Sequence, residues 1–73
     1  METEMTLDTQ NRILRTWLES GHTVTSYEAF IRWRITRLSA RIYDLIHRDG
    51  LNIVGDMELN SSTNKRYKRY RLA

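Results

Sequence analysis

The 73-residue chain contains no cysteine and no proline, and only three glycines. The absence of cysteine excludes disulfides and cysteine-based zinc sites as supports for the fold, and it fits a reducing cytoplasm. No apolar run approaches the roughly 18 residues that span a membrane, and the acidic start of the chain lacks the pattern of a secretory signal. A chain this short hardly encloses a catalytic cleft. We therefore expect one small binding domain, not an enzyme.

Basic and acidic residues are separated into blocks along the chain. The formal net charge of +3 divides into −3 over residues 1–28, +4 over 29–48, −3 over 49–64 and +5 over 65–73. If the fold brings the two basic blocks to one face, that face binds anions. Charge alone leaves open whether they form such a face or a solvated surface with a basic tail.

The apolar spacing of residues 9–20 predicts a first helix, which Gly21 ends because glycine tolerates a left-handed backbone. The residues that form its apolar face are Ile13, Leu14, Trp17 and Leu18. Residues 1–8 are polar, and we expect them to be flexible. That leaves residues 9–73 as the domain, with no internal repeat or linker.

A capping box predicts the second helix. Thr25 and Glu28 have the spacing at which a hydroxyl and a carboxylate satisfy each other's backbone N–H groups. The helix should therefore run over residues 26–33, after a short strand at 22–24. The side chains expected on its inner face are Ala29, Phe30 and Trp33.

The third helix is predicted over residues 37–48, with Thr36 as its N-cap and Gly50 beyond its end. Leu38, Ile42, Leu45 and Ile46 form its apolar side. The opposite side is expected to carry Arg37, Ala40, Arg41, Asp44, His47 and Arg48. This pattern, with arginines and small residues opposite the apolar side, indicates that the polar side of the helix contacts a partner.

Alternating residues after Gly50 predict a β-hairpin, with a polar loop over residues 60–64. In the first strand, Ile53, Met57 and Leu59 are expected on one side, and Asp56 and Glu58 on the other. In the second strand, Tyr70 and Leu72 share one face, and Tyr67, Arg69 and Arg71 share the other. Tyr70 and Leu72 should close the core.

Two short helices with a tight turn, followed by a hairpin, describe an α+β winged helix-turn-helix: three helices and a C-terminal β-hairpin wing. The last helix of such a unit enters the DNA major groove. Arg37 and Arg41 are one turn apart and are expected to read guanine, and Ala40 leaves room for close approach or a thymine methyl. Asp44 either accepts a hydrogen bond from the N4 amino group of cytosine or orients a neighbouring arginine.

The wing supplies the second basic block. Lys65, Arg66 and Lys68 follow a polar loop and suit phosphates or the minor groove. If about six cations contact phosphate, the log–log salt slope of binding should lie near −5.

The other aromatic and histidine residues have ordinary explanations. Trp17 and Trp33 fall at core positions, while Tyr67 is open between packing and stacking on bases. His22 and His47 are the only histidines and have no clustered ligands near them in sequence. We therefore expect neither a metal site nor a cofactor.

Two segments, "ITRLSARI" at residues 35–42 and "RYRL" at residues 69–72, resemble a family of small phage and prophage helix-turn-helix proteins. The resemblance implies a winged-helix DNA-binding domain over most of residues 9–72. The residues it implies at the leading edge of the recognition helix are Thr36, Arg37, Ser39, Ala40 and Arg41. The chain departs from the family at Arg34, where glycine is frequent. Arg34 either adds a phosphate contact or marks a changed partner.

Three functions remain open. The first is a double-stranded DNA-binding transcriptional regulator of phage or prophage type, acting in the host-cell cytoplasm on the nucleoid. The second is an excisionase-like architectural factor, which strong DNA bending would reveal. The third is a phage protein that binds and inhibits a host protein such as a CRISPR effector, since arginine is also favoured at protein interfaces. A monomer reads few base pairs, so regulation favours a homodimer or tandem binding on DNA.

Overall fold

The computed structural model describes residues 6–73. The helices are α1 (Leu7–Glu19), α2 (Ser26–Trp33) and α3 (Leu38–His47), and the strands are β1 (Val24–Thr25), β2 (Ile53–Asn60) and β3 (Lys65–Leu72). The strands form one antiparallel sheet in the order β1-β3-β2. The predicted order of elements, three helices with a short strand after the first and a hairpin at the end, is confirmed.

Helix α1 begins two residues earlier than predicted. Thr6 is its N-cap, and the Thr6 hydroxyl accepts a hydrogen bond from the Thr9 N–H at 3.1 Å. Asp8 adds a negative charge at the positive end of the helix. Residues 6–8, which were predicted from the sequence to belong to the N-terminal segment before the first helix, thus form the N-cap and the start of α1, and residues 1–5 lie outside the described part of the chain.

Helix α2 has the predicted bounds and the predicted capping box. The Thr25 hydroxyl accepts from the Glu28 N–H at 3.2 Å, and the Glu28 carboxylate accepts from the Thr25 N–H at 3.1 Å. The helix ends at Trp33, and its C-cap is Arg34, whose backbone is left-handed (φ 58°, ψ 29°) and whose N–H donates to the Phe30 carbonyl at 2.8 Å. The prediction that Phe30 faces inward is wrong, because it is 44% exposed and lies to the side of the inward-facing Ala29.

Helix α3 begins at Leu38, one residue later than predicted. Its N-cap is Arg37, whose side chain makes no capping hydrogen bond, so Thr36 does not have the predicted role. Its first hydrogen bonds run from the N–H groups of Ala40 and Arg41 to the Arg37 carbonyl, at 3.1 and 3.2 Å. The helix ends at His47, with Arg48 as the C-cap.

The core lies between the helices and one face of the sheet. Its buried apolar side chains come from every helix, from β1 and from the turn before α3: Leu14, Leu18, Val24, Ala29, Ile35, Leu38, Ile42 and Leu45. Partly buried side chains surround them, among them Trp17, Trp33, Ile53, Tyr70 and Leu72, as predicted. The Trp17 indole N–H also donates to the Thr23 carbonyl at 2.9 Å. Full burial of each leucine contributes about 1.5–3 kcal/mol.

The hairpin extends beyond the core. β2 pairs with β3 from Ile53↔Leu72 to Asn60↔Lys65, whereas β1 pairs only with Tyr70 and Arg69. Met57 and Leu59 share the face of Ile53, as the alternation predicts, but they are 58% and 56% exposed. No helix covers this outer half, so the predicted apolar face is only partly a core face.

Candidate nucleic-acid interface

The exposed side of α3 begins at the turn that precedes it. Thr36, Arg37 and Ser39 are exposed at the N-terminal end, and Ala40 is half-buried behind them. Further along, Tyr43 is 62% exposed, and its ring packs against the His47 ring with 4.0 Å between centroids and a tilt of 32° between the ring planes. Tyr43 was not among the predicted contact residues. Its position one turn before His47 was the signal in the sequence that both rings share one face.

Arg41 and Asp44 do not stand on that exposed side. The Arg41 guanidinium lies 3.1 Å from the Asp44 carboxylate, and their side chains are only 12% and 21% exposed. The Asn11 amide of α1 donates to the same carboxylate at 3.4 Å. The expectation that both residues lie opposite the core is therefore wrong, because they flank the core stripe and face α1. Of the two predicted roles of Asp44, orienting an arginine fits this geometry.

The N-terminus of α3 is open. Because Arg37 provides no side-chain oxygen as a cap, the N–H groups of Leu38 and Ser39 have no hydrogen-bond partner within residues 6–73. Such groups carry the positive end of the helix dipole and suit a phosphate oxygen. Arg37 adds a full positive charge at the same point.

The turn between α2 and α3 contributes another cation. Arg34 is exposed, and its guanidinium lies over the Phe30 ring with 5.9 Å to the centroid. No acidic side chain within residues 6–73 pairs with Arg34 or with Arg37. The tight turn therefore presents two guanidinium groups beside the start of α3.

The basic residues of the wing fall into two groups. Arg69 and Arg71 form ion pairs, Arg69 with Glu28 and Glu58 at 3.2 and 3.1 Å and Arg71 with Asp56 at 2.9 Å. In the remaining group, Lys65, Arg66 and Lys68, every residue is exposed and has no acidic partner in the described part of the chain. The three predicted wing contacts are thus the basic residues of β3 whose charge is available to a ligand.

An open groove of about 650 Å³ lies between the start of α2 and the outer half of β3. Its lining includes Tyr27, Tyr67 and the same three cations. Tyr67 is half-buried and Tyr27 is 74% exposed. The groove therefore connects the wing cations with the first turn of α2.

Electrostatic interactions inside the wing favour the charged forms of Glu58 and Arg69. The Tyr67 hydroxyl and the Arg69 guanidinium lower the pKa of Glu58 below its usual range. Hydrogen bonding to Glu58, and then to Glu28, raises the pKa of Arg69. These ion pairs stay formed at neutral pH and hold the base of the wing against α2.

Most of the predicted contact residues occupy exposed positions around α3 and the wing. The exceptions are Ala40, Arg41 and Asp44, which are partly buried. Within residues 6–73, no helix combines the length and apolar character needed to cross a membrane. The same residues contain no cluster of three potential metal ligands.

Comparison of the chain with curated proteins and with solved structures gave no match. A family model described as a winged helix-turn-helix domain matches residues 9–73. The chain therefore belongs to this winged helix-turn-helix family, which suggests DNA as its partner.

Proposed function

We propose that the chain binds double-stranded DNA, with α3 in the major groove and the wing on the flanking backbone. The major groove is about 12 Å wide and admits one helix. The N-terminal residues of such a helix reach the base edges, and here these are the exposed Thr36, Arg37 and Ser39. Tyr43 and His47 add two exposed aromatic rings in contact with each other further along the same helix.

The distribution of ion pairs is the observation that carries this proposal. Five exposed cations lie around the two elements that would meet DNA and lack an acidic partner among residues 6–73: Arg34, Arg37, Lys65, Arg66 and Lys68. Cations of this kind release the counterions condensed on DNA when they meet phosphates, and this release drives binding. Arginines that already pair with a carboxylate, such as Arg71 with Asp56, are expected to gain less from meeting a phosphate.

We further propose a transcriptional regulator of phage or prophage type, which acts in the host-cell cytoplasm by occupying a promoter. The resemblance of residues 35–42 to phage helix-turn-helix proteins supports this role. One small domain reads few base pairs, so specific occupancy favours two copies, paired or in tandem. We assign the chain no catalytic activity.

The test is fluorescence anisotropy across a salt series, with a random-sequence duplex and a pool of phage genomic fragments. Four phosphate contacts, from the cations that are not assigned to base edges (Arg34, Lys65, Arg66 and Lys68), predict a log–log salt slope of about −3 to −4. We expect one fragment to stay bound at physiological salt when the random duplex is released. Weak binding to every duplex, lost at physiological salt, would overturn the proposal and favour a host protein as the partner.

A matched pair of variants separates specific contacts from general charge. Lys65→Ala with Lys68→Ala should reduce the slope by about two units on every sequence. Arg71→Ala removes one exposed cation that is already paired with Asp56 and should leave the slope unchanged. An equal loss per charge in both variants would mean that net charge, not the proposed surface, sets the binding.

A further inference from the structure

The two faces of the outer hairpin differ in chemistry. Met57 lies opposite Lys68 and Leu59 lies opposite Arg66 in the register of β2 and β3, so these four side chains share one face. We name this set the wedge face. Met57 and Leu59 are more than half exposed and belong to no part of the core cluster. The wedge face is therefore an apolar pair flanked by two cations.

The opposite face of the hairpin holds its acids, and each acid is neutralised there. Asp56 lies 2.9 Å from Arg71, and Glu58 lies 3.1 Å from Arg69. No acidic side chain within residues 6–73 pairs with Arg66 or Lys68 on the wedge face. A polyanion is therefore the ligand whose charge complements this face.

The wedge face begins where the core ends. Further along the same face, Ile53, Tyr70 and Leu72 pack against the core. At the junction, Gly55 leaves the space that the stem of Lys68 fills, since a Cβ on Gly55 would lie 2.6 Å from Lys68 Cδ. The stem of Lys68 thus lies along the sheet at the core end of the face, next to Met57, and its ammonium group stays exposed.

The charge of the wedge face also argues against a second copy of the chain as its occupant. A two-fold contact brings the same patch of both copies together. Here it would set Arg66 and Lys68 of one copy against the same cations of the other, and no acid on the face offsets them. An occupant of the wedge face needs negative charge for Arg66 and Lys68 and apolar surface for Met57 and Leu59. DNA offers both, because phosphates line its minor groove and its base steps present apolar surface.

We propose that the wedge face enters the DNA minor groove, where Leu59 and Met57 part a base step and kink the duplex. Arg66 and Lys68 hold the flanking phosphates. This inference rests on the proposed DNA binding and adds that the bound duplex is bent. Insertion of apolar side chains in this way bends DNA by roughly 20–90°. TA steps unstack most easily, so insertion at these steps is expected.

The experiment uses the full chain and an A/T-rich duplex of about 30 bp, labelled with a fluorescence donor and acceptor at its ends and with 2-aminopurine at its TA steps. Energy transfer reports bending, 2-aminopurine emission reports unstacking, and anisotropy on the same duplex reports binding. We expect wild-type protein to raise all three signals. Met57→Ala with Leu59→Ala should still bind the duplex, with an unchanged salt slope because every cation remains, but should lose the bending and unstacking signals.

Ile31→Ala is the matched control, because Ile31 is 58% exposed on α2, like Met57 on the wing. It should bind, bend and unstack as wild type does. If the wild-type protein binds without bending or unstacking the duplex, the inference is overturned and DNA binding stands. Full bending by the double variant would have the same consequence. Absence of any anisotropy change would overturn both proposals.

Discussion

The guanidinium group of Arg69, in the central strand of the sheet, lies 3.2 Å from the carboxylate of Glu28 at the start of α2. The same carboxylate caps that helix through the Thr25 N–H. Arg69 also reaches Glu58 on β2 and the Thr23 hydroxyl before β1. One side chain thus joins the wing, the short strand and the helix-turn-helix unit.

Arg69→Ala should lower the free energy of unfolding by about 1–2 kcal/mol, because it removes several charge-assisted hydrogen bonds at a half-buried site. Urea denaturation measures this change. Arg71→Ala is the control, since Arg71 forms one exposed pair, and its effect should be smaller. Equal effects of the two substitutions would mean that the Arg69 network adds nothing beyond an ordinary surface ion pair.

Glu58 should make the protein sensitive to acid. Tyr67 and Arg69 hold the pKa of Glu58 below its usual value of 4.5 in the folded state. The unfolded chain therefore takes up the proton first, and the stability from this group declines as the pH falls from about 4.5 through the lower folded pKa. The carboxyl resonance of Glu58, followed by NMR, should titrate below 4.5.

Tyr67→Phe tests the cause of that shift. It removes the hydroxyl that contributes most to the lowered pKa of Glu58. The titration midpoint of Glu58 should move up towards the usual value, and part of the acid sensitivity should disappear. An unchanged midpoint would assign the whole effect to Arg69.

Local signals predicted most of this fold. The capping box of Thr25 and Glu28 involves residues three apart, so the start of α2 was correct to the residue. The alternation of β3 likewise assigned Tyr70 and Leu72 to the core. The N-cap of α3 was wrong by one position, a usual uncertainty of helix ends.

The errors concern where elements meet one another. Arg41 flanks the apolar stripe of α3 and pairs with Asp44, and the Asn11 amide of α1 donates to the same carboxylate, a contact that the pattern of α3 alone does not predict. Alternation assigned Met57 and Leu59 to the correct face, but it contains no information about where the helices stop covering that face. Both outcomes depend on contacts that are distant in the sequence.

Arg37 and Arg41 should respond differently to truncation. Arg37 is exposed, so Arg37→Ala should leave thermal stability unchanged and weaken binding to a preferred sequence by about 1–3 kcal/mol. Arg41→Ala leaves the largely buried Asp44 with only the Asn11 amide and should lower stability by about 1 kcal/mol. Calorimetry and anisotropy on the same preparations separate the two effects. Weaker binding by Arg41→Ala with unchanged stability would mean that its ion pair opens on DNA.

Gly55 should resist substitution because of its cross-strand neighbours. A Cβ at this position would lie 2.6 Å from Lys68 Cδ and 3.2 Å from Tyr70 Cε1. Gly55→Ala should therefore lower stability by up to about 1 kcal/mol, because the exposed Lys68 stem must move aside to make room for the new methyl group. In a Lys68→Ala background most of that cost should disappear, since the closest obstacle is gone. An unchanged cost in the double variant would assign the conflict to the Tyr70 ring.

Arg34 is expected to lower the stability of the fold and to strengthen DNA binding. Its left-handed backbone, with φ at 58°, costs a side-chain-bearing residue roughly 1–2 kcal/mol that glycine avoids. Arg34→Gly should therefore raise the free energy of unfolding by about 1 kcal/mol. It also removes an exposed cation beside α3 and should reduce the salt slope of DNA binding by about one unit. Arg34→Ala is the control, because it removes the same charge without the backbone relief: it should reproduce the lower slope but not the added stability. A stabilised Arg34→Gly variant with an unchanged slope would mean that Arg34 does not contact the DNA backbone.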